Sequence, residues 1–554
     1  MLAEKYAKIN FDSYEDFVEN CKIKVPEDFN FGFDVVDEIA NSDPDKKAMI
    51  WCNPEGDEKI FSFKDIKRES NKIVNFLKSL GLKKGDAVMI MAKRRYEYWY
   101  FAVAFHKLGI LMIPATHLLT VKDIKYRVKA ADIKVIVAAA DKRITDVINE
   151  AKKNLPELKY LISVNGHVDG WFNYSKEVEK FSDVFERPVG TEATVVSDPF
   201  LLYFTSGTTG MPKMVYHNYS YPLGHIITAK FWQNLDDKSL HLTVADTGWA
   251  KSSWGKIYGQ WLCGSCIFVY DYERFDAKDM LEKIAKYKIT SFCAPPTVYR
   301  HMICEDFSKY DLSNLKYAET AGEPLNPGIF YRFKKYTGLE IREGFGQTET
   351  VVLAAMFPWI EIKPGSIGRP SAGWDIDILN AENKPCKPGE DGRLIIRTDK
   401  SRPVGLFCGY YKDEAMTKNV WKDGIYETGD IVYKDEDGYI WFIGRSDDVI
   451  KTSGYRVGPF EVESALMEHP SVLECAVTGV PDAMRGAIIK ATVVLAKGYE
   501  PSDELAAEIK NYVKKITAPY KYPRIVEFVK ELPKTISGKI KRKEIRGNNT
   551  SNNK

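Results

Sequence analysis

Apolar and polar positions in this chain follow two alternating rhythms. Short runs such as Asp86-Ala-Val-Met-Ile-Met91, Ile133-Lys-Val-Ile-Val137, Tyr160-Leu-Ile-Ser-Val164 and Ile289-Thr-Ser-Phe-Cys293 are apolar and read as core strands. Between them, stretches such as 64–80 and 277–288 place apolar residues at helical spacing. Strand and helix in alternation predict an α/β architecture with substantial parallel sheet. From about Asp375 to Tyr433, glycines and prolines punctuate short strands, which predicts a small β subdomain.

A boundary is expected in Gly444-Arg-Ser-Asp-Asp-Val449, where a charged, glycine-bearing segment interrupts the pattern. Beyond it a compact α+β unit restarts: helix 459–469, strands 472–480 and 488–496, and helix 502–516. The expected division is a large domain over 1–446 and a small one over 447–554. A chain of 554 residues is too long for one core in any case.

Composition narrows the function classes. With 79 basic and 77 acidic residues the charge is nearly balanced, so neither a nucleic-acid partner nor a charged membrane surface is expected. The most apolar stretch, 101–115, carries His106 and Lys107 and is too short to span a bilayer. The nine cysteines are scattered; Cys263 and Cys266 form a lone pair at CxxC spacing with no second pair for a zinc site, and read as buried free thiols. Together with an N-terminus that mixes acids and bases, this sets the expectation of a cytoplasmic protein.

The segment Tyr203-Phe-Thr-Ser-Gly-Thr-Thr-Gly-Met-Pro-Lys213 carries the first chemistry. A buried strand runs into a turn dense in hydroxyls and glycines that ends near a lysine. Glycines let backbone N–H groups approach an anion, hydroxyls add donors, and Lys213 adds positive charge. This is a phosphate grip, although the Walker-type GxxxxGK[ST] pattern is not met. Further segments stand out in order: Thr320-Ala-Gly-Glu-Pro-Leu325, Glu343-Gly-Phe-Gly-Gln-Thr-Glu-Thr350, Tyr426-Glu-Thr-Gly-Asp430, Gly444 to Arg456, and Pro533-Lys-Thr-Ile-Ser-Gly-Lys539. Singly, each has a bland reading as a turn, a helix cap or a solvated face.

Taken in this order the motifs resemble the adenylate-forming superfamily, over about residues 61–545. The narrower resemblance is to its acetyl-CoA synthetase-like and medium-chain acyl-CoA synthetase branch. It is carried by Asp246-Thr-Gly-Trp249, Gly405-Leu-Phe407, Ser453 to Glu463 and Thr517-Ala-Pro-Tyr-Lys-Tyr-Pro523. The resemblance implies a carboxylic acid:CoA ligase that uses ATP, Mg²⁺ and CoA in two half-reactions.

By the same resemblance, Thr205, Ser206, Gly207, Thr208, Thr209, Gly210 and Lys213 would hold the phosphates. Gly322, Glu323 and Pro324 would line the adenine, with Glu343, Gly344, Phe345, Gly346 and Gln347 around it and Phe345 stacked on the ring. Thr348 would donate to the α-phosphate, Glu349 would bind Mg²⁺, and Asp430 with Arg445 would take the ribose. Arg456 and Lys539 would act on the α-phosphate and carboxylate, Lys539 as the adenylation lysine. Asp447 matches a hinge about which the small domain rotates. Ser453, Gly454, Tyr455, Arg485, Tyr520, Lys521 and Tyr522 would meet CoA.

The acyl pocket is expected among Trp249, Lys251, Trp254, Cys293 and Gly346. Acetate-specific members of the branch carry a tryptophan where this chain has Gly346, so a short- to medium-chain acid, branched acids included, is expected. Two readings compete: loading of a separate carrier protein, although no Gly-Gly dipeptide of a fused carrier motif occurs, and a non-catalytic nucleotide-binding relative. The expected partners are small molecules, with homo-oligomerisation left open.

Overall fold

The computed structural model describes residues 1–205, 211–453, 455–482, 484–518, 520–534 and 540–551, with side chains described through residue 547. Two large sheets organise the N-terminal part. One has eight strands, ordered Gly409–Tyr410, Lys213–Asn218, Pro199–Thr205, Leu111–Pro114, Ala87–Met91, Ile133–Ala139, Tyr160–Val164 and Phe172–Asn173. The other has nine; at its centre Leu240–Thr243, Ser291–Ala294, Tyr317–Thr320 and Ile341–Phe345 run parallel. The predicted α/β class is the observed one: a large N-terminal domain followed by a small C-terminal one.

Local chemistry sets the element ends. The helix expected from Lys64 begins at Phe63, because Ser62 and Asp65 cap it reciprocally. Asp65 N–H donates to Ser62 Oγ at 3.2 Å, and Ser62 N–H donates to Asp65 Oδ2 at 3.0 Å. The apolar stretch 101–115 resolves into the end of a wholly buried helix, Glu97–Leu108, and the strand Leu111–Pro114. Gly109, at φ 78°, stops that helix in the left-handed region where glycine costs least. Among the described residues, no helix is long and apolar enough to cross a membrane.

A five-stranded antiparallel sheet follows, with Gly392–Arg397 and Ile425–Lys434 at its centre and Asp375–Leu379 at an edge. It runs beyond the expected limit near 433. Ile440–Arg445 pairs with Ile425–Lys434, and this pairing sets Asp430 opposite Arg445. The residues just past that limit, Glu436-Asp-Gly438, are the hairpin turn inside the sheet.

From Ile450 onward the chain builds a core of its own, in which Val462, Leu466, Val477, Ala491, Val493, Ile509 and Val513 are buried together. Strands Val472–Asp482 and Gly486–Leu495 form a long hairpin, with Ile525–Phe528 parallel to the second. Helices Pro459–Met467 and Asp503–Ile516 cover it, close to their expected spans. All nine cysteines are free, Cys263 buried and Cys266 at the head of a strand.

Candidate active site

Parallel strands of the nine-stranded sheet end together at Ala294, Thr320 and Phe345, Thr205 ends a strand of the other sheet, and the motif loops leave from these ends. Thr205 closes its strand, Ala294 precedes Pro295, Thr320 precedes Gly322 and Glu323, and Phe345 precedes Gly346 and Gln347. Carboxyl ends of parallel strands are where α/β folds bind ligands, because the loops there are free of the sheet ladder. Thr205 pairs with Lys213, so one rung of sheet pins both ends of the phosphate-grip turn. The Lys213 ammonium lies 5.2 Å from the centre of the Tyr410 ring. Ser206, Gly207, Thr208, Thr209 and Gly210 lie outside the described residues.

Gln347 ties the site together. Its amide nitrogen donates to Asp430 Oδ2 at 2.7 Å and to Thr428 O at 2.8 Å, while its oxygen accepts from Tyr426 OH at 2.9 Å. The other Asp430 oxygen accepts from Arg445 Nη1 at 3.0 Å, and Arg445 also donates to Thr428 O at 2.8 Å. Asp430 is buried, and this burial raises its carboxyl above the usual range although Arg445 opposes the shift. Next to this cluster, Glu349 accepts from Tyr410 OH at 3.1 Å.

Glu343 is buried in the middle of the strand Ile341–Phe345. One oxygen accepts from Leu325 N–H at 3.2 Å; the other has no partner among the described residues. Burial pushes this carboxyl up to about 8, so near neutrality it carries a proton. A buried carboxyl with an unused oxygen suits a ligand with donor and acceptor edges, such as a purine. Gly322, at φ 102°, has open space where a β-carbon would project, and Thr297 Oγ1 donates to the half-buried Glu323 at 3.1 Å. Phe345 packs against Phe442 at 5.9 Å. Pro324 and Gly344 lie in the same segments, and a side chain on Gly344 would strike Trp232 at 2.4 Å.

Sequence reasoning missed His217. Its Nε2–H donates to the main-chain oxygen of Thr348 at 2.8 Å, and its ring packs on Tyr221 at 3.9 Å. Burial holds this imidazole down at about 3, so it is a neutral donor that fixes the Gln-Thr-Glu turn. The only signal in the sequence is its position on the strand Lys213–Asn218, which leads out of the phosphate grip.

Of the expected acyl-pocket residues, Trp254 meets Gly346. Trp254, on the helix Ala250–Gly255, stands against it, and Trp232 packs edge-on to Trp254 at 6.2 Å. Lys251 donates to Ala321 O at 2.6 Å; burial lowers its ammonium. Cys293 is buried and its thiol is pushed up to about 12. Trp249 caps the same helix.

In the small domain, Tyr455 stacks on Tyr520 with centroids 4.1 Å apart, and half of Tyr455 is exposed. Ser453, at φ 50°, donates its N–H to Arg485 O at 2.9 Å. Ser453, Arg485 and Tyr520, with Tyr522 and Arg524, line a small cleft; sequence reasoning missed Arg524, which packs on Tyr522 at 5.1 Å. Lys521 is engaged by Glu461. Arg456 is exposed, and its charge is felt at Asp391; among the described residues no contact joins it to Glu349 or Asp430. Gly454 and Lys539 lie outside the described residues, between flanks that are described.

Residues 36–411 match the AMP-binding enzyme family, and residues 461–539 match its C-terminal domain. The chain belongs to this family. Acyl-coenzyme A synthetase ACSM3, mitochondrial, of Mus musculus is 41% identical to it, across 97% of this chain and 93% of that protein. Acyl-coenzyme A synthetase ACSM4, mitochondrial, of Homo sapiens is 40% identical, across 96% and 92%. Among solved structures, an anthranilate CoA ligase in complex with anthranoyl-AMP superposes with a TM-score of 0.87 at 28% identity, across 96% of this chain and 99% of that one. An acyl-CoA synthetase of Brucella canis superposes with 0.73 at 29%, across 98% and 100%. The relatives are mitochondrial by name, and this overturns the expectation of a cytoplasmic protein. Free thiols report only a reducing compartment, and the cytosol is not the only one.

Proposed function

We propose that this enzyme is an AMP-forming acyl-CoA synthetase acting on short- to medium-chain carboxylic acids. The observation that carries the reading is the Gln347–Asp430–Arg445 network beside Glu349, with the unused oxygen of Glu343 in the same site. These groups match the parts of a nucleotide: an acid for two ribose hydroxyls, a carboxylate for a metal–phosphate cluster, and a buried polar edge for a base.

In the first half-reaction a carboxylate oxygen of the acid attacks the α-phosphorus of ATP, the bond to the β-phosphate breaks, and pyrophosphate leaves. In the second, the thiolate sulfur of CoA attacks the acyl carbon, the acyl–oxygen bond breaks and AMP leaves, while the thiol proton passes to solvent. The protein's task is to place the reactants and neutralise charge. Thr205 and Lys213 would hold phosphate oxygens, and Thr348, fixed by His217, would face the α-phosphate.

Among the described residues no group of three or more His, Cys, Asp or Glu side chains could hold a metal by itself. A lone carboxylate fits Mg²⁺ all the same, because that ion keeps water and phosphate oxygens in its shell. Glu349 would supply the protein ligand; bound Mg²⁺ would offset phosphate charge.

The division into 1–446 and 447–554, with Asp447 as the hinge, is part of the same proposal. Rotation about it would exchange Lys539, the adenylation lysine, for the face bearing Ser453, Tyr455, Arg485 and Tyr520 that would meet CoA. The test is AMP release with CoA over a panel of linear, branched and aromatic acids, alongside acid-dependent ATP–pyrophosphate exchange. Exchange without CoA thioester, restored by a phosphopantetheinyl carrier, would instead favour carrier loading. No exchange with any acid would sink the reading.

A further inference from the structure

The turn that holds Asp447 is tied down on both sides, by different bodies. Upstream, Ser446 N–H donates to Gly429 O at 3.0 Å, which stitches the chain to the β subdomain beside Asp430. Downstream, the helix Arg542–Ser551 reaches back. Arg546 Nη1 donates to the main-chain oxygen of Asp447 at 3.0 Å, and Arg546 Nη2 pairs with Asp448 Oδ1 at 3.0 Å. Arg542 lies one turn earlier on the same helix face, 3.8 Å from the other Asp448 oxygen.

The helix itself belongs to the small domain. Ile545 is buried with Ala476 and Leu532, and Arg542 Nη2 donates to both oxygens of the buried Glu463 at 2.8 Å. Glu463 in turn accepts from Val477 N–H at 2.8 Å. A peptide unit is planar and moves as one piece. In this structure the N–H of that unit, Asp448 N–H, also donates to Arg445 O at 3.0 Å, as Val449 N–H does at 3.1 Å. Once rotation opens this turn, the plane joining Asp447 to Asp448, gripped through its oxygen and the next side chain, travels with the small domain. The soft torsions left between the stitched and gripped segments are those of Asp447 and its upstream neighbour.

We propose that Arg546 is a positioning residue that sets the downstream edge of the hinge and confines domain rotation to the backbone torsions at Asp447. The inference rests on the reading of Asp447 as the hinge. It assigns to the C-terminal helix a role beyond carrying the chain past Lys539: the helix decides where the chain bends.

A double-mutant cycle tests it on the full-length enzyme. Both half-reactions are measured separately, adenylation by pyrophosphate release and thioester formation from preformed acyl-adenylate. Proline locks φ, so Asp447→Pro alone should slow one half-reaction more than the other, by at least about tenfold. In the Arg546→Ala background the bend can shift to residue 448, and this disparity should shrink about tenfold. Arg546→Gln, which keeps a helix-forming side chain but loses the fork that spans Asp447 O and Asp448, should give similar relief and decides the matter if Arg546→Ala folds poorly by thermal melting. Uniform or absent slowing in Asp447→Pro would overturn the hinge itself. A disparity of undiminished size in both relieved backgrounds would overturn the role of Arg546 while leaving the hinge intact.

Discussion

Gly346 and Trp254 are in direct contact. A β-carbon on residue 346 would stand 2.4 Å from Cη2 of the Trp254 indole and 2.6 Å from Val351 O. The space left by the missing side chain at 346 is therefore already occupied, and a tryptophan substituted there has no room. Under the proposed acyl pocket, control of acyl length would pass to Trp254. Trp254→Ala is expected to raise the kcat/KM ratio of longer over shorter linear acids by about tenfold or more, since one methylene in an apolar pocket is worth about 10–200-fold. Rates across a chain-length series measure it; a flat ratio would remove the indole from the pocket wall.

Asp430→Ala should raise KM for ATP by about 10–100-fold, the range for losing hydrogen bonds to a charged group, and change KM for the acid much less. It also leaves Arg445 and the Gln347 amide without their common acceptor. Initial-rate kinetics with each substrate varied in turn separate these effects. Equal loss for both substrates would point to collapse of the turn.

Glu343 gives a pH signature with a definite sign. Its folded pKa, about 8, lies above the ordinary 4.5, so the folded state holds the extra proton between those values. Stability from this group is full at low pH and declines as pH rises through that window. Glu343→Gln should remove the decline. Its stability relative to the parent should climb by a few kcal/mol between about pH 5 and 8, at about 1.4 kcal/mol for each tenfold fall in proton concentration. Chemical denaturation at several pH values tests this; a constant difference would place an ionised carboxylate there.

His217→Leu removes the donor to Thr348 O. It should cost about 1–3 kcal/mol of stability and slow adenylation more than thioester formation. Because burial holds the imidazole at about 3, the kcat/KM profile of the parent should show no inflection near 6.5 that vanishes in the variant. Such an inflection would make His217 a titrating participant.

What local pattern encodes was legible: Tyr160–Val164 occupies its expected span, and the small domain's helices fall within two residues of theirs. The strand period and helix caps are properties of neighbours in sequence. The hub role of Gln347, the support from His217 and the grip of Arg546 on Asp447 were not legible. Each joins residues 79 to 131 positions apart, and no local spacing announces such a contact. Trp254 against Gly346 is a middle case: both residues were singled out, but only packing shows that one fills the other's space.

Arg445 sits in the combined field of Asp430, Asp447 and Glu349. On the proposed assignments, one guanidinium would be shared between the ribose acid, the Mg²⁺ carboxylate and the hinge. Any ligand that draws on Asp430 or Glu349 changes how strongly that charge holds Asp447, and linkage makes the exchange reciprocal. If Asp447 is the hinge and Asp430 takes the ribose, as proposed, occupancy and bending become two readings of a single electrostatic balance: a bound nucleotide would bias the pivot, and the pivot's setting would alter nucleotide affinity by the same factor.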